Sequence, residues 1–254
     1  MNRRIRKVGM ACILAVAMFS VNAASKAWGA DVLVAAAASL TNAFDDIIKA
    51  YKTHTRDVIQ TNYAASGVLL RQIEQGAPMD VFASADEATM QKAVDLGKIK
   101  AGTPIVFAVN DLVVIVPSSL NIRINTPKDL AQSGIKKIAV GNPESVPAGR
   151  YARKALDGVW NTLADRMVMA ENVRQVLDYV SRGEAEAGVV YRTDAMLKKD
   201  EVAIALLLGQ ENSVKYPIAP LAGSAHQEEA AKFIEFVRGP QGREILGKYG
   251  FGQP

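Results

Sequence analysis

An α/β fold with a mainly parallel sheet is what this 254-residue sequence predicts. Short apolar runs alternate with segments of helical spacing from Val32 to the C-terminus, the pattern of a parallel sheet flanked by helices. The runs have the length and β-branched character of strands covered on both faces. Several of the helical segments stop at a glycine, Gly76, Gly97 or Gly183, as helices that end in a left-handed turn do.

The chain opens with Met1-Asn-Arg-Arg-Ile-Arg-Lys7, a basic stretch, followed by an apolar run from Val8 to Val21 that is too short to span a bilayer comfortably. Ala27-Trp28-Gly29 then places small residues where a signal peptidase needs them, with Val21-Asn22-Ala23 as a second possible site. Residues 1–29 therefore read as a cleavable export signal, and the protein is expected in the periplasm. The whole chain carries +4, but Arg3, Arg4, Arg6, Lys7 and Lys26 all lie in this segment, which holds no acid; the remainder carries −1. A net charge that small argues against a nucleic-acid partner. Cys12 leaves with the signal, so the exported chain has neither disulfide nor thiolate metal site. The remaining chain of about 225 residues is long enough to bury a good core without such staples.

The organising stretch is Val32-Leu-Val-Ala-Ala-Ala-Ala-Ser39-Leu-Thr-Asn-Ala-Phe44. Val32 to Ala36 read as a buried strand. Leu40, Ala43, Phe44, Ile47, Ile48 and Tyr51 have helical spacing, with Ser39 as the N-cap. Val58–Tyr63 is the next strand, and a helix with Leu69, Leu70 and Ile73 on one side begins at Ser66. Val81–Ala83 and Leu112–Val116 are strands, with a helical segment from Ala85 to Leu96 between them. Thr126-Pro127 reads as an N-cap with proline in the first helical position. Ile138–Val140 is a strand and Pro147-Ala148 opens a helix. Asn172 caps another, with Val173, Val176, Leu177 and Val180 inward. Strands at Ala187–Tyr191, Val202–Leu208 and Tyr216–Ala219, then helices at Gln227–Val237 and Gln241–Lys248, complete the chain.

Catalytic parts are scarce. The sequence has no G-x-S-x-G, no G-x-x-x-x-G-K-[ST] and no H-E-x-x-H. His54 and His226, its two histidines, stand among polar residues and read as surface positions. Asp45-Asp46, Glu228-Glu229, Lys136-Lys137 and Lys198-Lys199 read as solvated pairs on helices or turns. An enzyme is not expected. The helix starts are a different matter, because Ser39, Ser66, Ala148 and Val173 each stand at or beside one. Each start carries unpaired N–H donors and about half a positive charge. Taken singly these residues cap or open helices; if several starts converge they form an anion site that needs no cationic side chain.

At these same residues the chain closely resembles the periplasmic molybdate-binding proteins of bacterial ABC importers. The resemblance is carried by Ala36-Ala-Ala-Ser39-Leu-Thr-Asn-Ala43, by Arg71-Gln-Ile-Glu-Gln-Gly-Ala-Pro78 with Asp80, and by Val146-Pro-Ala-Gly149 with Tyr151-Ala152. Downstream it continues in Glu171-Asn-Val-Arg174, Gly188-Val-Val-Tyr191 with Asp194-Ala195, and Gly239-Pro-Gln241 with Tyr249-Gly-Phe251. It implies a two-lobed type II periplasmic binding protein, each lobe a mainly parallel sheet flanked by helices. Lobe 1 would comprise 30–110 and 214–254, and lobe 2 would comprise 111–213, with the ligand cleft between them. Crossovers would lie near Asn110 and near Ser213 to Tyr216.

Carried over by motif, the ligand-binding residues would be Ser39 and Ser66 from one lobe. From the other would come the backbone N–H groups of Ala148 and Val173 and the hydroxyl of Tyr191. Many family members have a run of serines around Ser66, where this chain has Ala65-Ser66-Gly67. The function implied is capture of molybdate, and of tungstate, for delivery to the membrane subunits of an ABC permease. The binding protein is expected to be a monomer without a cofactor, its only molybdenum being that of the bound oxyanion. Sulfate, thiosulfate or another tetrahedral oxyanion is the alternative ligand. Two other classes share a similar bilobal fold. A regulator's effector domain would lack an export signal, and a porphobilinogen deaminase would need a cofactor-attaching cysteine that the exported chain lacks.

Overall fold

The computed structural model describes residues 30–211 and 213–254; the export-signal segment lies outside the described residues. In chain order, β1 (Asp31–Ala37), α1 (Thr41–Tyr51), β2 (Val58–Ala64), α2 (Ser66–Glu74), β3 (Val81–Ala83), α3 (Glu87–Asp95) and β4 (Ile105–Asn110) come first. A middle group follows: β5 (Leu112–Pro117), β6 (Ile138–Gly141), α4 (Pro147–Ala155), α5 (Asp157–Leu163), β7 (Met167–Ala170), α6 (Val173–Ser181), β8 (Ala187–Tyr191), α7 (Arg192–Leu197) and β9 (Val202–Leu208). Then β10 (Val214–Pro220), α8 (Gln227–Arg238) and α9 (Pro240–Lys248) end the chain.

The strands form two five-stranded sheets, ordered β2-β1-β3-β10-β4 and β7-β6-β8-β5-β9. In each, three strands run parallel and the fourth is antiparallel to both its neighbours. The chain passes from the first sheet to the second through Asp111 alone, between β4 and β5, and returns between β9 and β10. Leu112 pairs with Leu208 and Asn110 with Val214, so the outgoing and returning segments run side by side.

Burial follows the periodicity. Val32, Val34, Ala35 and Ala36 of β1 are fully buried because helices cover both faces of the first sheet, and α1 turns Ala43, Phe44, Ile47, Ile48 and Tyr51 inward. Phe44 packs against Phe107 and edge-on against Phe233, which also meets Tyr51, tying α1 and α8 to β4. Such ring pairs add roughly 0.5–1.5 kcal/mol each to the burial itself. At the end of α2, Gly76 takes φ +91°, a conformation that costs glycine nothing.

Four elements lie outside the sequence expectation. β4 and β5 are separated by one residue, and the continuous apolar run hides the first of the two strands. β7 is an edge strand with Met169 largely exposed, so its apolar pattern is weak. The helices α5 and α7 are short, at seven and six residues, too brief for a 3.6-residue period to register. Among the described residues, no helix is long and apolar enough to cross a membrane.

Candidate functional site

The carboxyl ends of the parallel strands of the two sheets face one another, and helices start there. In open α/β sheets this is where ligands bind. Ser39, Ser66, Ala148, Val173 and Tyr191, spread over 153 positions of sequence between the first and last, all line one cavity between the two sheets. Its other walls are Ala37, Ala38, Ala65, Ala85, Val146, Pro147 and Asn172, and its volume is about 10 Å³. That is the space of about one water-sized group, far below the hundreds of cubic ångströms of pockets for drug-sized ligands. No carboxylate, ammonium or guanidinium group is among its lining residues.

Each donor is prepared by its own local structure. Pro147 occupies the first position of α4, so Ala148 carries the first N–H of that helix. In α6 the side chain of Asn172 accepts from the N–H of Gln175 at 3.1 Å. The cap is thereby used on the third position, and the N–H of Val173 is left facing the cavity end of the helix. Ser66 Oγ accepts the N–H of Ala85 at 3.0 Å, which frees the hydroxyl proton for another partner. Tyr191, at the last position of β8, is 1% exposed, and its hydroxyl has no hydrogen-bond partner among the described residues. A buried hydroxyl without a partner costs about 1–3 kcal/mol, a cost that a ligand at this point would remove. Burial raises the pKa of Tyr191 well above its ordinary value, so the phenol remains a neutral donor.

Ser39 departs from expectation. It lies in a 3₁₀ turn, Ala38–Leu40, ahead of α1, and makes no cap hydrogen bond. Its hydroxyl lies 3.0 Å from that of Tyr216, in β10. The turn places Ser39 inside the cavity wall instead of at the mouth of the helix, where a cap would have to stand.

Two arginines close the flanks of the cavity. Arg150 of α4 binds Asp86 with Nε at 2.9 Å and Nη2 at 2.6 Å, and also Thr89 Oγ1 at 2.6 Å. Arg174 of α6 donates to the Ser39 carbonyl at 3.0 Å and to Asn42 Oδ1 at 2.8 Å, and pairs with Asp194 at 2.6 Å. Burial outweighs that pairing and pushes the Asp194 carboxyl up to about 6. Both cations are thus committed to acceptors at the boundary between the sheets, and neither lines the cavity. A backbone bond joins the same two sides, from Gly67 N–H to the Ser145 carbonyl at 3.0 Å. Sequence alone assigns no role to Arg150, Arg174, Asp86 or Tyr216; Arg150 and Asp86, Arg174 and Ser39, and Tyr216 and Ser39 are 64 or more residues apart, and no local pattern marks such pairs.

Elsewhere, His54 is exposed as expected, but His226 is half-buried beside Asp80, with Nδ1 3.4 Å from Oδ1. Asp46, expected to be solvated, accepts the Tyr249 hydroxyl at 2.6 Å. Among the described residues, no cluster of histidine, cysteine and carboxylate side chains could hold a metal ion.

Residues 32–252 match the family model described as bacterial extracellular solute-binding protein. The chain is 39% identical over 231 residues to the molybdate-binding protein ModA of Escherichia coli strain K12, covering 87% of this chain and 88% of that protein. Among solved structures, the Azotobacter vinelandii periplasmic molybdate-binding protein superposes with TM-score 0.76 at 23% identity, over 88% of this chain and 99% of the other. The Mycobacterium tuberculosis sulfate-binding protein SubI does so with TM-score 0.76 at 19% identity, over 87% and 86%. At those identities the two structures share the fold with this chain, and equal scores for a molybdate binder and a sulfate binder leave the anion to the site itself.

Proposed function

The chain belongs to the bacterial extracellular solute-binding proteins, and from that premise we propose that it captures molybdate and delivers it to an ABC-type permease. Tungstate is the second ligand in this reading. Lobe 1, residues 30–110 with 214–254, and lobe 2, residues 111–213, close on the ion. Ser39, Ser66 and Tyr191 donate hydroxyl protons to it, and Ala148 and Val173 donate backbone N–H groups. The protein works outside the cytoplasm, in the periplasm, as a monomer, and catalyses nothing.

The observation that carries this reading is the partnerless hydroxyl of Tyr191 in a cavity lined by donors and by no carboxylate. Phosphate at neutral pH carries a proton that needs an acceptor, and no lining side chain is an anionic one. A fully ionised tetrahedral dianion only accepts, so it meets every donor correctly. Charge does not separate molybdate from sulfate; size does, because the smaller ion is left with stretched hydrogen bonds whose losses add up.

Thermal unfolding tests this. A ligand that binds the folded state alone stabilises it by RT ln(1 + [L]/Kd), about 4 kcal/mol at a thousandfold excess over Kd. Micromolar molybdate or tungstate is expected to raise Tm by several degrees, millimolar phosphate to do nothing, and sulfate to act weakly. A sulfate shift equal to that of molybdate would transfer the assignment to sulfate. No shift with any of the four would remove oxyanion binding.

A further inference from the structure

Ser39 can serve an anion only if its own proton points into the cavity, and the groups behind it decide that. Asn110, the last residue of β4, is 2% exposed, and its Oδ1 accepts the N–H of Asp111 at 2.9 Å. This fixes the orientation of the amide, so Nδ2 must donate. Its two protons have two acceptors in reach, Thr193 Oγ1 at 2.9 Å and the Tyr216 hydroxyl oxygen at 3.4 Å. Tyr216 is fully buried, and its oxygen, already accepting from Asn110, has Ser39 Oγ at 3.0 Å as the acceptor for its own proton. With Tyr216 as the donor of that bond, Ser39 Oγ accepts and its own O–H is left for the cavity it lines.

We propose that Tyr216 is a positioning residue for oxyanion binding: the chain Asn110 to Tyr216 to Ser39 polarises the serine hydroxyl so that it faces the ligand as a donor. The assignment rests on the oxyanion reading of the cavity and goes beyond it, since Tyr216 does not itself line the cavity. The chain starts at the crossover between the sheets, where Asn110 also holds Thr193 of α7. The orientation of Ser39 is therefore set by the joint itself and not by the turn in which Ser39 sits. Ser66 reaches the same polarity by a separate route, through the N–H of Ala85.

The experiment is a double-mutant cycle on the full exported chain, with molybdate binding read by titration calorimetry. Tyr216→Phe, which removes one oxygen, should weaken binding about three- to tenfold, the span of a neutral hydrogen bond. In a Ser39→Ala background the same change should cost less than twofold, because the group through which Tyr216 acts is gone. In a Tyr191→Phe background its cost should be undiminished. A purely structural tyrosine would weaken binding equally in all three backgrounds, and that result would overturn the assignment, as would unchanged affinity in Tyr216→Phe. Should Tyr216→Phe not fold, proton NMR of the wild type decides. A slowly exchanging Tyr216 hydroxyl proton with a cross-peak to the Ser39 β-protons is expected, and contacts to Asn110 alone would overturn it. A wild type that binds no tetrahedral oxyanion would take away the function proposed above, whereas a wild type that binds while the cycle is additive would take away Tyr216 alone.

Discussion

The donors of the cavity are neutral, and that has a measurable signature. Tyr191 is buried, which raises its pKa and keeps its proton in place, so molybdate affinity should be flat between pH 7 and 9. A fall in affinity across that range would mean that a titrating group contacts the ion. Ser66→Ala and Tyr191→Phe should each weaken binding by about 1–3 kcal/mol, the range for hydrogen bonds to a charged partner. Tyr191→Phe should leave Tm without ligand unlowered, whereas Ser66→Ala also strands the buried N–H of Ala85 and should lower it. Unchanged affinity in both variants would exclude these residues from the site. That Ser66, Ala148 and Val173 could share one cavity is legible because each stands at or beside a helix start, and Tyr191 joins them because a family motif ends on it. The use of Ser39 as a helix cap was misread, since a 3₁₀ turn and a helix start look alike in sequence. What stands behind Ser39 was not legible at all, because Tyr216 lies 177 residues away.

At the level of elements, the helix starts work only if they approach closely, and two glycines allow it. A Cβ on Gly67, in the first turn of α2, would stand 2.6 Å from the Ser145 carbonyl oxygen on the opposite side of the cavity. Gly67→Ala should therefore weaken molybdate binding severalfold while leaving Tm without ligand nearly unchanged. A Cβ on Gly149 would collide with the Gly141 carbonyl within one side, where α4 lies against β6. Gly149→Ala should lower stability by roughly 1–3 kcal/mol as well as affinity, because overpacking there shifts the helix that carries Ala148. Calorimetry and thermal melts on the pair separate the two cases, and identical behaviour of both variants would contradict this account. Long apolar strands and capped helices declared themselves in the sequence. The edge strand β7 and the short α5 and α7 did not, since tertiary packing and not local pattern holds them.

For the whole molecule, the ions that join the two sides are as telling as the cavity. Asp86 is buried and receives two bonds from Arg150, so on the proposed function this pair favours the approach of the two sheets whatever anion is bound. Asp86→Asn can keep the cap that Asp86 provides to the N–H of Thr89 but leaves the Arg150 guanidinium without its anionic partner. It should lower affinity for molybdate and tungstate by the same factor, about three- to tenfold, and leave their ratio within twofold of the wild type. A changed ratio, measured by competition calorimetry, would mean that Arg150 senses the ion directly.

The two strand crossings carry a consequence for how the chain acquires its shape. All five strands of the second sheet lie within residues 112–208, whereas the first sheet needs β10 wedged between β3 and β4. A chain emerging N-terminus first has β4 in hand long before its neighbour exists, and holding that place open across a hundred residues is entropically slow. The middle group is expected to fold first: Leu112 pairs with Leu208 and Asn110 with Val214, so a formed second sheet would bring Val214 beside Asn110 and close the long loop as a short one. Pulse-labelled hydrogen exchange during refolding should find the amides of β5, β8 and β9 protected before those of β4 and β10. The reverse order would show that the discontinuous half assembles without the middle group as its template.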